Sequence, residues 1–195
     1  MVLPIVAYGD PVLRKKGVDI DKDYPGLKQL IADMFETMYD AKGVGLAAPQ
    51  VGKSIRLFVI DAAPFAEVDE DEEPEPDHEV LKDFKKVFIN ARITGEEGEE
   101  WKFNEGCLSI PKIREEVERK PVIHIEYLDE HFRKHKETYD GVAARIIQHE
   151  YDHIEGKLFV DRISVLRKRM LKGKLADISK GKVDVAYKMR FPSLK

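Results

Sequence analysis

Residues 149–153 read His149-Glu150-Tyr151-Asp152-His153, and this stretch restricts the fold more than any other part of the chain. Two histidines four apart reach one cation only if the segment is helical, because positions i and i+4 then project from the same side. Glu150 stands one residue along, able to lean over the metal's open position and take a proton from water held there. The flanking residues agree with a helix. Asp140-Gly141 can cap it, Val142, Ile146, His149 and His153 share a face, and Gly156 can end it in left-handed geometry. The alternative is a pair of core histidines beside a chance glutamate, but imidazoles on an apolar face need polar partners.

A catalytic centre of this type takes three protein ligands plus water. The downstream pattern H-E-x-x-H-x-x-G-x-x-H is matched through Gly156 but ends at Phe159, and no glutamate follows Glu155. Glu155 itself comes too soon after His153 to share its site. Asp161, Asp177 and Asp184 are formal candidates. Upstream, Cys107 lies in Glu105-Gly106-Cys107-Leu108-Ser109, beside a glycine that permits close approach, and thiolate is a strong ligand for such metals. Elimination selects Cys107, His149 and His153. Cys107 is the sole cysteine, so an intrachain disulfide is excluded and a reducing compartment suits it.

The rest of the chain supplies one core. Asp23 near a cap, Pro25 in a first turn and Leu27, Leu30, Ile31, Met34 and Met38 at helical spacing predict a helix that Gly43 ends. Ile55 to Ile60 reads as a buried strand, and Val87-Phe88-Ile89 begins another. Val122–Leu128 and Phe132–Tyr139 read as a hairpin around Asp129-Glu130, with Ile123, Ile125 and Tyr127 on one face and His124 solvated on the other. Helix, strands, then helix predict an α+β fold, with a helix packed against antiparallel sheet. No apolar run reaches the roughly 20 residues of a membrane span. Met1 to Ile5 lack the basic head and apolar stretch of a signal peptide, so a cytoplasmic protein that does not enter membranes is expected.

Charge is uneven. Nine of the thirteen residues from Glu67 to Glu79 are acidic and two are proline. Such a stretch cannot bury enough apolar surface to offset its ordering entropy, and it reads as an exposed, mobile insertion between strands. Residues 162–195 carry eleven Lys/Arg against two Asp/Glu, a local +9 within a net −4. This basic segment, with Arg167-Lys168-Arg169, Lys172 and Lys174 on a helix, could meet an anionic partner such as RNA. A solvated helix end explains it equally well, and the alternation of Val183, Val185 and Tyr187 allows a final strand.

Three motifs together carry a resemblance: Gly43-Val44-Gly45-Leu46-Ala47-Ala48-Pro49-Gln50, Glu105-Gly106-Cys107-Leu108-Ser109 and His149-Glu150-Tyr151-Asp152-His153. In this order and form the sequence resembles the peptide deformylases over residues 1 to about 165. The resemblance implies antiparallel sheets around a central metal-binding helix. It implies a catalytic domain over 1–165, with 166–195 as a basic C-terminal extension of that domain or a tail. The implied reaction removes the N-formyl group from the N-terminal methionine of newly made proteins and releases formate.

Site roles follow from the resemblance. Cys107, His149 and His153 hold the metal, and Glu150 moves the proton. The Gln50 side-chain amide and the Leu108 N–H face the developing oxyanion. Val44-Gly45 and Glu105-Gly106 pair with the substrate main chain as a strand pairs with an edge. Val142 and Ile146 help form the methionine pocket, and Arg114 lies close to substrate. The donor set alone suggests zinc. The resemblance implies Fe(2+), with Zn(2+), Ni(2+) or Co(2+) able to substitute, and docking of some family members on ribosomes through a C-terminal extension. Rival readings are a zinc peptidase and a non-catalytic interaction protein built on the charged segments.

Overall fold

The computed structural model describes residues 1–66 and 77–192. In chain order its regular elements are strand β1 (Ile5–Val6), helix α1 (Leu27–Asp40), β2 (Gly45–Ala47), β3 (Leu57–Asp61), the short helix α2 (His78–Lys82), β4 (Lys85–Glu97), β5 (Trp101–Cys107), β6 (Ile110–Arg119), β7 (Val122–Leu128), β8 (Lys134–Tyr139), α3 (Gly141–Ile154), α4 (Val165–Ser179) and β9 (Met189–Arg190). Strands β2-β3-β4-β7-β8 form one antiparallel sheet in that order, β5 and β6 a separate antiparallel hairpin, and β1 and β9 a parallel pair. This is the α+β arrangement expected, extended by the small parallel pair.

At β3 the five-stranded sheet is covered on both faces, which explains the unbroken apolar run there. Phe58 and Ile60 face α3, packing with Ala143, Ile146 and Ile147. Leu57 and Val59 face α1, with Leu30, Met34 and Met38. Strand β7 turns Ile123, Ile125 and Tyr127 toward α3, while His124 faces outward against Glu97 and Thr138. The hairpin's second arm starts at Lys134, later than expected, because Asp129 accepts from the N–H groups of His131 and Arg133 and holds a longer turn.

Both long helices differ at their ends from the sequence expectation. Asp23 does not cap α1. The Asp21 side chain and carbonyl turn that segment on itself, and Gly26, at φ 69°, occupies the cap position. The helix ends at Asp40, with Lys42 in the left-handed region (φ 54°) and the Gly43 N–H returning to Met38 O at 2.9 Å. Gly43 also packs closely, since a Cβ there would lie 2.7 Å from Leu108 Cδ1. Asp140 makes no side-chain bond to the start of α3. Asp77 does so instead, accepting from the Val142 N–H at 3.0 Å. The acidic stretch from Glu67 to Glu79 lies outside the described residues up to Pro76. Its end is held, by that cap and by Leu81 of α2 in the core.

The basic C-terminal segment is packed on the same body. Leu171, Leu175 and Ile178 of α4 join Val6, Leu13, Ile110, Ile113, Val117 and Phe159 in a third apolar cluster, against which Val183, Met189 and Phe191 also pack. Leu175 is 4% exposed, whereas Leu166 on the outer face is 68% exposed. Leu175→Ala should therefore cost about 2–4 kcal/mol of unfolding free energy, and Leu166→Ala should stay within about 0.5 kcal/mol. Chemical denaturation monitored by circular dichroism measures both. Equal effects would mean that α4 is not docked.

Candidate metal centre

The β5–β6 hairpin and α3 meet at three ligand-type atoms. Cys107 ends β5, and His149 and His153 face it from successive turns of α3. Their donor atoms all lie within 4.8 Å of one another, and Cys107 Sγ is 3.3 Å from His153 Nε2. No other group of three or more such side chains occurs among the described residues. None of the aspartates left open by elimination belongs to this cluster. One thiolate and two imidazoles suit a divalent transition metal, so the residues fit the group the motif implies.

Glu105 holds the assembly in register. Its Oε2 is 3.0 Å from His149 Nδ1, which leaves the other ring nitrogen for the cation and fixes the ring's orientation. Arg119 grips Glu105 with Nε at 2.7 Å and Nη2 at 2.9 Å, and reaches Asp152 with Nη1 at 2.8 Å. Arg145 of α3 donates to Glu105 Oε1 at 3.1 Å and to the carbonyls of Val117 and Trp101. Arg162 closes the other side of Asp152 at 2.6 and 2.7 Å. Burial alone would raise the Glu105 carboxyl; Arg119 and His149 outweigh it and hold it far below the usual range. Burial likewise opposes charge on His149, but Cys107 and Glu105 keep its pKa well above the ordinary value. Burial and the neighbouring His149 press His153 down to about 3.

Glu150 lies beside this cluster without joining it. Burial pushes its carboxyl up to about 7, and its Oε2 is buried with no partner among the described residues. A Cβ on Gly45 would sit 2.5 Å from Glu150 Oε1, so the small residue in the first motif is required by the carboxylate in the third. Gln50 is 1% exposed. Its Oε1 accepts from the Ala47 N–H at 2.9 Å, which orients Nε2 toward Ser109 Oγ at 3.2 Å and Cys107 Sγ at 3.6 Å.

These groups line a cleft of about 380 Å³, a size suited to a side chain and a length of peptide. Val44, Gly45, Gln50, Glu105, Gly106, Cys107, Leu108, Arg114, Ile146, His149 and Glu150 all reach it, with His153 behind. The cleft runs between β2 and β5, each an edge strand of its sheet. Val142 is not on the wall. One helical turn before Ile146, it is half-buried against the sheet-side core. Arg114 stands opposite Gly106 across the hairpin and donates to Asn104 O at 2.7 Å. Sequence reasoning missed Phe103, which shares a strand face with Glu105 two residues on, and Arg145 and Phe65 on the same wall. Arg145 had a signal, being a charge among apolar helix positions. Phe65 had none.

Comparison with known proteins places this geometry. Residues 2–169 match the family model described as polypeptide deformylase. The chain is 64% identical to a peptide deformylase of Christiangramia forsetii over its whole length and 98% of that relative. It is 59% identical to one of Flavobacterium johnsoniae, again over its whole length and 98% of that relative. Among solved structures, the peptide deformylase of Thermus thermophilus superposes with a TM-score of 0.78 at 40% identity, covering 93% of this chain and 99% of that one. The enzyme from Legionella pneumophila gives 0.77 at 37%, covering 93% and 98%.

If Glu105 orients His149, Glu105→Gln should weaken metal affinity by about 10–100-fold without removing a ligand. Competition against a chelator measures this, and wild-type affinity would sink the orienting role.

Proposed function

The chain belongs to the polypeptide deformylase family, and on that premise we propose that Cys107, His149 and His153 are its metal ligands and Glu150 its general acid–base. The enzyme is a metal-dependent hydrolase that removes the N-formyl group from the N-terminal methionine of newly synthesised proteins. The observation that supports Glu150 most directly is that this residue lines the cleft beside the cluster with a buried carboxylate oxygen, Oε2, that has no partner among the described residues.

A divalent metal held by Cys107, His149 and His153 would supply Lewis acidity and make a water acidic enough to lose its proton near neutral pH. Glu150 takes the proton of the attacking water and delivers one to the departing methionine amine. The Gln50 amide and the Leu108 N–H donate to the formyl oxygen as it gains charge. Gln50 suits this role because the Ala47 N–H fixes which end of its amide faces the cleft. Main-chain groups of Val44, Gly45, Glu105 and Gly106 bind the peptide between two strand edges, Ile146 contributes to the methionine pocket, and Arg114 lies near the following residues. The native metal in this reading is Fe(2+), with Zn(2+), Ni(2+) or Co(2+) as substitutes. Family resemblance supports it, together with the mixed thiolate–imidazole donor set. Thiolate ligation makes such an iron enzyme sensitive to oxygen. Among the described residues no helix is long and apolar enough to cross a membrane, and the lone thiol suits a cytoplasmic location.

Glu150→Ala should retain one metal per chain and lose about 10²–10⁴-fold in turnover on a formyl-Met peptide. Metal analysis with a formate-release assay tests this. Loss of the metal, or near-normal turnover, would show that Glu150 has another role.

Ribosome docking through the C-terminal segment is supported by the outer face of α4. Val165, Leu166 and Met170 are exposed there beside Arg169, Lys172 and Lys174, while Arg167 and Lys168 are engaged with Glu115 and Asp161. Because α4 also carries buried Leu175 and Ile178, charge reversal is a cleaner test than truncation. Replacing Arg169, Lys172 and Lys174 by glutamate should abolish co-sedimentation with ribosomes at low salt, where wild-type binding weakens steeply as salt rises. Unchanged sedimentation would leave α4's charge as a solvated face.

A further inference from the structure

We propose that Tyr187 is a positioning residue for deformylation, acting through the Leu108 carbonyl. The inference rests on the reading that the Leu108 N–H donates to the reacting formyl oxygen. The family match spans residues 2–169, and the three motifs end at His153, so neither assigns residue 187 a role.

Cys107 and Ile110 face each other across a two-residue turn formed by Leu108 and Ser109. The peptide joining those two residues is the centre of the turn. In such turns the central peptide can rotate between turn types while the flanking strands stay paired. Rotation here would re-aim the Leu108 carbonyl and disturb the residue whose N–H is read above as the oxyanion donor. Two bonds hold the Ser109 side of the turn: the Tyr8 N–H donates to Ser109 O at 2.8 Å, and Gln50 Nε2 donates to Ser109 Oγ at 3.2 Å. Tyr187 holds the other side, its hydroxyl donating to Leu108 O at 2.7 Å.

The phenol is itself fixed in place. Val183, Val185, Tyr187, Met189 and Phe191 are half-buried in alternation with exposed neighbours. This is the period-two pattern legible in the sequence, although only Met189–Arg190 forms a strand. Lys188 O accepts from the Ile5 N–H and Arg190 O from the Ala7 N–H, each at 2.9 Å. The extended segment therefore delivers the hydroxyl to the turn from a backbone tied on its far side. A turn held this way has little to reorganise when charge develops on the substrate, which is the condition for effective oxyanion stabilisation.

The test compares metal-loaded wild type, Tyr187→Phe and Val183→Ala on a formyl-Met peptide. Tyr187→Phe keeps the ring and removes only the donor. It should lower kcat by about 5–10-fold, the scale of one neutral hydrogen bond, with KM within about two-fold, metal content unchanged and Tm lowered by no more than about 2–4 °C. Val183→Ala loosens the same segment but keeps the hydroxyl, and should lower Tm while retaining wild-type kcat well below it. Unchanged kcat in Tyr187→Phe would overturn the proposal. So would a kcat loss equalled by Val183→Ala or matched by loss of metal, since the segment would then act only by packing. An inactive wild type would overturn the deformylase reading and this inference with it, whereas an active wild type beside an unaffected Tyr187→Phe overturns the inference alone.

Discussion

The Glu105 carboxylate, 4% exposed and shared by Arg119, Arg145 and His149, is the contact to which the rest of the centre is indexed. The β5–β6 hairpin has no strand ladder to the five-stranded sheet. Its position relative to α3 is set by apolar packing and by this buried network. Apolar packing tolerates small slips, whereas a bidentate guanidinium–carboxylate pair does not. Such networks contribute little net stability, because desolvating the ions offsets their attraction, but removing one member leaves a buried charge unpaired. Here the network links the strand that carries Cys107 to the helix that carries both histidines, which fixes geometry that stability alone would leave loose.

The three sequence motifs form one packed object. The first supplies small residues where the other two need space, Gly43 beneath Leu108 and Gly45 against Glu150. The second supplies the thiolate and the carboxylate that orients His149. The third supplies the imidazoles, Glu150, and Asp152, whose two oxygens are taken by Arg119 and Arg162. Each motif keeps its spacing because a neighbour from another motif occupies the adjoining volume.

What was legible in the sequence was local or chemically forced. The i, i+4 histidines demanded a helix, and the lack of a downstream ligand pointed back to Cys107. Alternation placed Ile123, Ile125 and Tyr127 inward. The misses are long-range. Asp77 caps α3 from far upstream, and the chain between Asp140 and Val142 gives no hint of it. Lys42 takes the left-handed position that glycine usually fills, while the nearby glycine lies against Leu108. Arg119 and Arg162 look like ordinary surface charges until folding brings Asp152 between them.

The parallel pairing of β1 with β9 joins residues from opposite ends of the chain, Ile5 with Met189. During synthesis Cys107, His149 and His153 all emerge before the stretch from Val183 to Phe191. Until that stretch arrives, β1 has no ladder partner and the Leu108 carbonyl has no hydroxyl to accept from. Contacts of such sequence separation close slowly, because loop entropy must be overcome before they contribute. With Tyr187 in the role proposed above, the support of the Leu108 turn is completed only after residues 183–191 have been made, well after Cys107, His149 and His153.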